Sequence, residues 1–262
     1  MIDVHTHIFN EQIYRDYKKK AGKRVAKALV LQHFEHDTKP LLDLVSRHHD
    51  LALIATVHME QNIPPQLRAL EKLFCAKKIV GIKLYPGYQH FFPSDKKVYP
   101  IATLCQKYDK PLIFHTGDVW DRRGPKAGAM LKYPDPLCVD ELAVRFPECK
   151  IVIAHFGFPH HVETAQVVSK NKNVYTEISG TIDEVGDSVA INRLRHQYAK
   201  DLMRAFAYFP GVKEKTMFGT DYAGERPPLN QFEPYVALVK SLFSKKEQEN
   251  VFTKTAQKIF FD

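Results

Sequence analysis

The chain has 262 residues, 44% hydrophobic and 26% charged, the balance of a soluble globular protein long enough to bury a full core. No run of about 18 apolar residues occurs, so no membrane span is expected, and no basic-then-apolar leader precedes Ile2, so neither is a signal peptide. The net charge of +8 raises nucleic acid as a partner, but lysines sit in short helical pieces such as 18–20 and 245–246, which read as solvated faces. The expected partner is instead a small, anionic molecule.

In chain order, the first predicted strand is 2–6 (IDVHT), and His5 and His7 stand at its end. Residues i and i+2 of a strand share a face, so both imidazoles leave in one direction. Imidazole is the commonest protein ligand for zinc and related metals. A basic helix is expected over 11–27. Strands then follow at 28–34, 52–58, 79–85 (IVGIKLY), 111–116 (PLIFHT), 150–156 (KIVIAHF), 174–179 (VYTEIS) and 216–222 (TMFGTDY). Helical periodicity fills the gaps at 40–49, 65–76, 98–108, 137–146, 162–171 and 190–208, and 231–261 reads as one or two closing helices. Cys75, Cys105, Cys138 and Cys149 show no Cys-x-x-Cys spacing, which suits reduced thiols in a cytoplasmic protein.

Near-continuous apolar strands alternating with helices imply a parallel sheet covered on its outside. Eight such units in one domain, 1–262, make a (β/α)8 TIM barrel the expected fold. A doubly wound open sheet is the runner-up, but no Gly-x-Gly-x-x-Gly follows any strand. In a barrel the C-terminal strand ends converge on one mouth, and polar residues cluster at those ends here. His5 and His7 end the first strand, Lys83 the fourth, His115 the fifth, His155 the sixth, Glu177 the seventh and Asp221 the eighth. His33 and His58 add to the second and third.

A catalytic zinc-like site needs about three or four N/O ligands and a place for water or substrate. His5, His7 and His115 supply imidazoles and Asp221 a carboxylate, which would hold one divalent metal, zinc first and manganese next. Bound metal lowers the pKa of its water to about 7, and Asp221 is placed to act as the base. His155 would polarise the scissile carbonyl, protonate the leaving group, or serve as a weaker fifth ligand.

This order of residues resembles the amidohydrolase superfamily, and within it the amidohydrolase-related family that includes aminocarboxymuconate semialdehyde decarboxylase. The matching pieces are IDVHTHIF (2–9), VGIKLYPGYQHFFPSD (80–95), PLIFHTGD (111–118), IVIAHFGFP (151–159), VYTEISG (174–180) and FGTDYAGERP (218–227). The resemblance implies a distorted TIM barrel with a single metal held by His5, His7, His115 and Asp221, and a catalytic role for His155. Lys83 falls where some superfamily members carry a carboxylated lysine bridging two metals; here it is expected to stay an amine that orients substrate. Two departures stand out. Phe158 follows Gly157 where the family often has small residues, narrowing the pocket, and Thr255-Ala256 replaces the usual Asn-Ala pair.

The loop after the fifth strand carries Trp120, Arg122 and Arg123, and the loop after the eighth carries Arg226; together with Lys83, Trp120, Arg122 and Arg226 are the expected substrate contacts. Tyr88, His90, Phe91 and Phe92 add aromatic character in the loop 86–95. The expected activity is metal-dependent hydrolysis of a small anionic cyclic amide, lactone or carboxylate. Non-oxidative decarboxylation on the same site is the alternative, followed by a TatD-like nuclease, a Schiff-base aldolase using Lys83, and a non-catalytic binding barrel. A homodimer through the outer helices is the default expectation.

Overall fold

Eight parallel strands, β1 (Ile2–Thr6), β2 (Lys27–Leu31), β3 (Leu51–Thr56), β4 (Gly81–Leu84), β5 (Leu112–Phe114), β6 (Ile151–Ile153), β7 (Val174–Glu177) and β8 (Thr216–Met217), pair in sequence order. The structure, a computed structural model, describes residues 1–119, 128–182, 187–225 and 228–262. The last strand region returns to the first: the Val4 amide donates to the Phe218 carbonyl at 3.0 Å and the Asp221 amide to the His5 carbonyl at 2.8 Å. The (β/α)8 TIM barrel expected from the sequence is the fold.

The connecting helices are α1 (Glu11–Ala21), α2 (Thr38–Arg47), α3 (Ile63–Cys75), α4 (Tyr99–Lys107), α5 (Leu137–Arg145), α6 (His161–Lys170) and α7 (Ser188–Tyr208). Each lies where the sequence periodicity puts it, although α1 stops short of 27 because Gly22, with φ 62°, ends it. A two-stranded hairpin, β9 (Gly224–Glu225) and β10 (Pro228–Leu229), follows β8, then α8 (Glu233–Leu242), α9 (Lys245–Glu249) and, across a π-helical turn, α10 (Thr255–Phe260). None of the described helices is long and apolar enough to cross a membrane. The four cysteines are free thiols.

Period-two alternation divides the strand residues into two cores. Ile2, Val4, Leu29, Leu31, Ile54, Ile113, Val152 and Met217 belong to a cluster that α10 joins through Ala256, Ile259 and Phe260. Their neighbours Val30, Leu53, Ile82, Phe114 and Ile153 pack outward under the helices. The Thr255 hydroxyl donates to the Glu214 carbonyl at 3.1 Å, which anchors α10 without the usual asparagine.

One irregularity matters for function. Asp3 pairs with Ala28 and Thr6 with Val30, so three steps along β1 match two along β2. This bulge resets the alternation. Val4 packs in the inner cluster, yet the next residue, His5, reaches the mouth rather than the helical layer.

Candidate metal centre

His5 and His7 aim their Nε2 atoms at one oxygen. His5 Nε2 lies 3.3 Å and His7 Nε2 3.2 Å from Asp221 Oδ1. Their opposite nitrogens are already engaged: His5 Nδ1 is 2.8 Å from Glu177 Oε1, and His7 Nδ1 is 2.9 Å from the Leu31 carbonyl. Carboxylate and carbonyl oxygens only accept, so each Nδ1 carries the proton and each Nε2 presents a lone pair. Asp221 Oδ1 is an acceptor too, and though buried it has no hydrogen bond. Three lone pairs therefore converge where a hydrogen bond has no proton to use. A cation satisfies all three, and the ordering of each imidazole through its second nitrogen is the arrangement metal-ligating histidines adopt.

The other side of the mouth is a directed hydrogen-bond chain. His115 Nε2 donates to the Asp118 carbonyl at 2.8 Å, which leaves His115 Nδ1 an acceptor for His155 Nε2 at 3.1 Å. His155 Nδ1 is then itself an acceptor, 3.1 Å from the Ser179 hydroxyl, whose proton it competes for with Glu177 Oε1 at 3.0 Å. The His155 ring stands between those of His5 and His115, 4.8 and 4.9 Å from them. Among the described residues the tight donor groups are His5, His7, Asp221 and His5, His155, Glu177; His115 touches this cluster through His155.

Two carboxylates that the sequence reading left without a role hold the site in shape. Glu177 accepts from His5 Nδ1 and from the backbone amides of His155 at 2.8 Å and Ser179 at 2.6 Å, tying β1, β6 and β7 together. Asp3 accepts from the Tyr17 hydroxyl at 2.9 Å, the Thr220 hydroxyl at 2.7 Å and the His5 amide at 3.3 Å, which clamps the β1 bulge to the segment carrying Asp221. The aspartate two residues before His5 is the one sequence signal that was available for this clamp.

Burial sets the charges. It lowers the His5 and His115 pKa values well below the usual imidazole range, with Lys83 adding to the effect on His5 and His155 to that on His115. Burial and then His5 take His155 down to about 3. Burial alone would raise Asp221, but the histidines around it, His5 first, hold its carboxyl well below the usual range. Asp3 is pushed up to about 7 by burial, against its own hydrogen bonds. Lys83 is fully buried, its Nζ has no hydrogen bond, and burial lowers it to about 8 while Glu177 and Asp221 pull the other way.

The backbone is strained at the same place. His155 and Asp221 both adopt φ 58°, a left-handed conformation uncommon outside glycine, and Phe156 follows at 46°. Gly180, with φ 73°, lies against His155, and a Cβ there would stand 2.2 Å from His155 Nδ1.

The cluster opens into a cavity with two lobes, of about 450 and 270 Å³. Tyr88, His115, His155, Asp221 and Leu229 line both. Phe158 lines the larger lobe, where the sequence puts a narrowing. Lys83 lies below and is not part of either wall. Of the loop aromatics, Tyr88 reaches the cavity, whereas Phe91 is buried in the core and Phe92 packs on Tyr133. His90 pairs with the Gly128 carbonyl at 2.6 Å, and His58 accepts from Gln89 Nε2 at 3.1 Å; both are structural. Trp120, Arg122 and Arg226 lie outside the described residues. Sequence reasoning passed over Arg193, which lines the larger lobe from α7.

A family model described as Amidohydrolase matches residues 2–261. The chain belongs to the amidohydrolase family. As a member of this metal-dependent family it is an enzyme, a hydrolase or a decarboxylase. No curated protein sequence matches it. Among solved structures it is similar to a probable 2-pyrone-4,6-dicarboxylic acid hydrolase from Acinetobacter baumannii, with citric acid bound, at 15% identity and a TM-score of 0.70, covering 99% of this chain and 98% of that one. It is also similar to 2,6-dihydroxybenzoate decarboxylase from Rhizobium, at 11% identity and a TM-score of 0.67 over 99% and 98% of the two chains. A dihydroxybenzoic acid decarboxylase from Polaromonas sp. JS666, with manganese and 2-nitroresorcinol bound, gives 13% identity and 0.65 over 99% and 96%. At these identities the likeness is one of fold.

Proposed function

We propose that this amidohydrolase-family enzyme is a mononuclear metal-dependent hydrolase of a small anionic cyclic amide, lactone or carboxylate. The observation that carries the reading is the convergence of His5 Nε2, His7 Nε2 and Asp221 Oδ1 with no proton to share. These three, with His115 through its accepting Nδ1, would hold one divalent ion. A set of imidazoles and one carboxylate suits zinc, with manganese next. When bound, the ion acidifies a water and polarises a substrate oxygen.

The chain's own residues carry the remaining work. Glu177 and the Leu31 carbonyl keep His5 and His7 in the tautomers that expose Nε2. Asp221 takes the proton of the attacking water. His155 is neutral at pH 7, and its Nε2–H, now 3.1 Å from His115 Nδ1, would be free to donate to a substrate carbonyl if His115 Nδ1 were taken up in holding the ion. The Ser179 hydroxyl, 3.1 Å from His155 Nδ1 and 3.0 Å from Glu177 Oε1, supports that tautomer when its proton turns from Glu177 to His155. Lys83 stays an amine below the cluster, where its charge favours an anionic substrate and opposes a second metal. Trp120, Arg122 and Arg226 remain proposed contacts from the flanking loops.

The similar Acinetobacter protein is named for a cyclic ester bearing two carboxylates, which supports the choice of substrate class. We further propose a cytoplasmic location, supported by the four free thiols, and pairing of two copies through the outer helices, where Val189, Met203 and Tyr208 of α7 are exposed. The test is a panel of lactones, cyclic amides and hydroxybenzoic acids given to zinc-loaded and manganese-loaded protein. Acid release from a lactone or amide, lost in Asp221→Ala, is the expected result. Carbon dioxide release from the benzoic acids without hydrolysis would replace this reading with decarboxylation.

A further inference from the structure

The two lobes of the cavity differ in chemistry, and they meet at the histidine and aspartate cluster. In the larger lobe, Arg193 is the only lysine or arginine among the described lining residues. It projects from α7 beside Thr181 and makes no hydrogen bond or ion pair with any described residue. Asp118 lines the same lobe, but its Oδ1 accepts from the Val119 amide at 3.0 Å. The smaller lobe is walled by the rings of Phe9, His33, His36, Tyr85 and Tyr88. Phe9 and His36 lie 4.2 Å apart, and His33 and Tyr85 5.0 Å.

A guanidinium in a concave wall, with no partner among the described residues, is a receptor for a carboxylate, which it can meet with two parallel hydrogen bonds. A pocket of flat rings takes a planar group by offset or edge packing. We infer that Arg193 is a specificity-determining residue for a carboxylate remote from the reacting group, in a substrate whose scissile carbonyl stands between that carboxylate and a planar ring. The inference rests on the proposed hydrolytic reading, because it takes the cluster at the junction as the point of reaction. It adds a class: acids of the aroyl-amide or aroyl-ester kind, with the ring in the smaller lobe and the acid in the larger.

Binding measured by calorimetry on zinc-loaded protein tests this without needing turnover. Hippurate (N-benzoylglycine) and N-benzoyl-β-alanine carry ring, amide and carboxylate; N-methylbenzamide lacks the carboxylate and N-acetylglycine lacks the ring. At least one of the two complete probes should bind about tenfold or more tightly than N-methylbenzamide, the range of a charge-assisted hydrogen bond. Arg193→Gln should erase that preference while leaving N-methylbenzamide unchanged, and Arg193→Lys should restore part of it. Because Arg193 is exposed, neither change threatens folding. Equal binding of the complete probes and N-methylbenzamide, no binding of any probe, or a preference that survives Arg193→Gln would overturn the assignment. N-acetylglycine binding as well as hippurate would overturn the ring half. Failure of the metal reading would show separately, as protein that takes up no zinc whatever its Arg193 variant.

Discussion

The two ends of the barrel are built on opposite principles. At the closed end Ile2, Val4, Leu29, Leu31, Met217 and Phe260 are buried together in one apolar cluster, and β1 enters in register, Ile2 beside Lys27 and Asp3 beside Ala28. A few residues further along the same strands, the open end buries His5, Lys83, His115, His155, Glu177 and Asp221. There a β-bulge, left-handed backbone at His155 and Asp221 and an amine without a hydrogen bond replace regularity. The lesson is a division along the barrel axis: the closed end supplies stability, and the open end spends some of it to hold groups that can act.

The sharpest way to break this comparison is to attack the closed end. Phe260→Ala removes a fully buried ring and should cost about 3–5 kcal/mol in denaturant unfolding, with metal content per folded chain unchanged. A loss of metal as well would show that the two ends are not separable. Lys83→Met should do the reverse. Removing a buried cation that makes no hydrogen bond should stabilise the zinc-loaded protein by about 2–3 kcal/mol while turnover of an anionic substrate falls. If Lys83→Met destabilises, the amine has a partner role and the division fails at that point.

A third test uses pH at His161 on α6, away from the cluster. His161 is buried among Phe156, Phe158 and Tyr198, and its Nε2 has no hydrogen bond. Burial lowers it to about 4, with Asp201 and Glu163 opposing and His160 assisting. The unfolded chain, with an ordinary histidine, binds the proton first as pH falls through about 6.5. Stability should therefore drop by about 2 kcal/mol between pH 7 and 5 on account of this residue, and continue to fall until about pH 4. Comparing the pH dependence with that of His161→Phe isolates the effect; identical slopes would refute it. A local test at the mouth is Gly180→Ala, which should cost about 1–2 kcal/mol for the left-handed backbone and, in addition, the displacement of the His155 ring. Its Cβ meets His155, so kcat should fall while bound zinc stays at the parent level.

The sequence was informative wherever barrel geometry turns a strand end into a position at the mouth. That rule alone brings His5, His7, His155 and Asp221 together from strands far apart in the chain. It was less informative where chemistry depends on contacts between side chains of different strands. Glu177 could be placed at a strand end, but not recognised as the acceptor that sets the His5 tautomer. The β1 bulge has no local signature, because a strict alternation reading already puts His5 and His7 on one face. Strand β8 is only two residues long rather than seven, since Thr220 and Asp221 leave it to bond Asp3 and the His5 carbonyl. Arg193 sits in the second turn of α7, where periodicity reads a solvated face and only the packing of α7 on the mouth reveals a wall. Lys83 was placed on the right strand, but its burial beneath the cluster is a tertiary fact.

The measurement that tests the central claim most directly is the metal content of protein purified without a histidine tag or added metal, beside the His5→Ala, His7→Ala, His115→Ala and Asp221→Ala variants. About one equivalent of zinc or manganese per chain is expected in the parent and a large loss in each variant, with circular dichroism unchanged. No metal in the parent, even after incubation with zinc and manganese, would contradict the metal centre. Two equivalents would contradict the single-ion site and make Lys83 a bridging ligand.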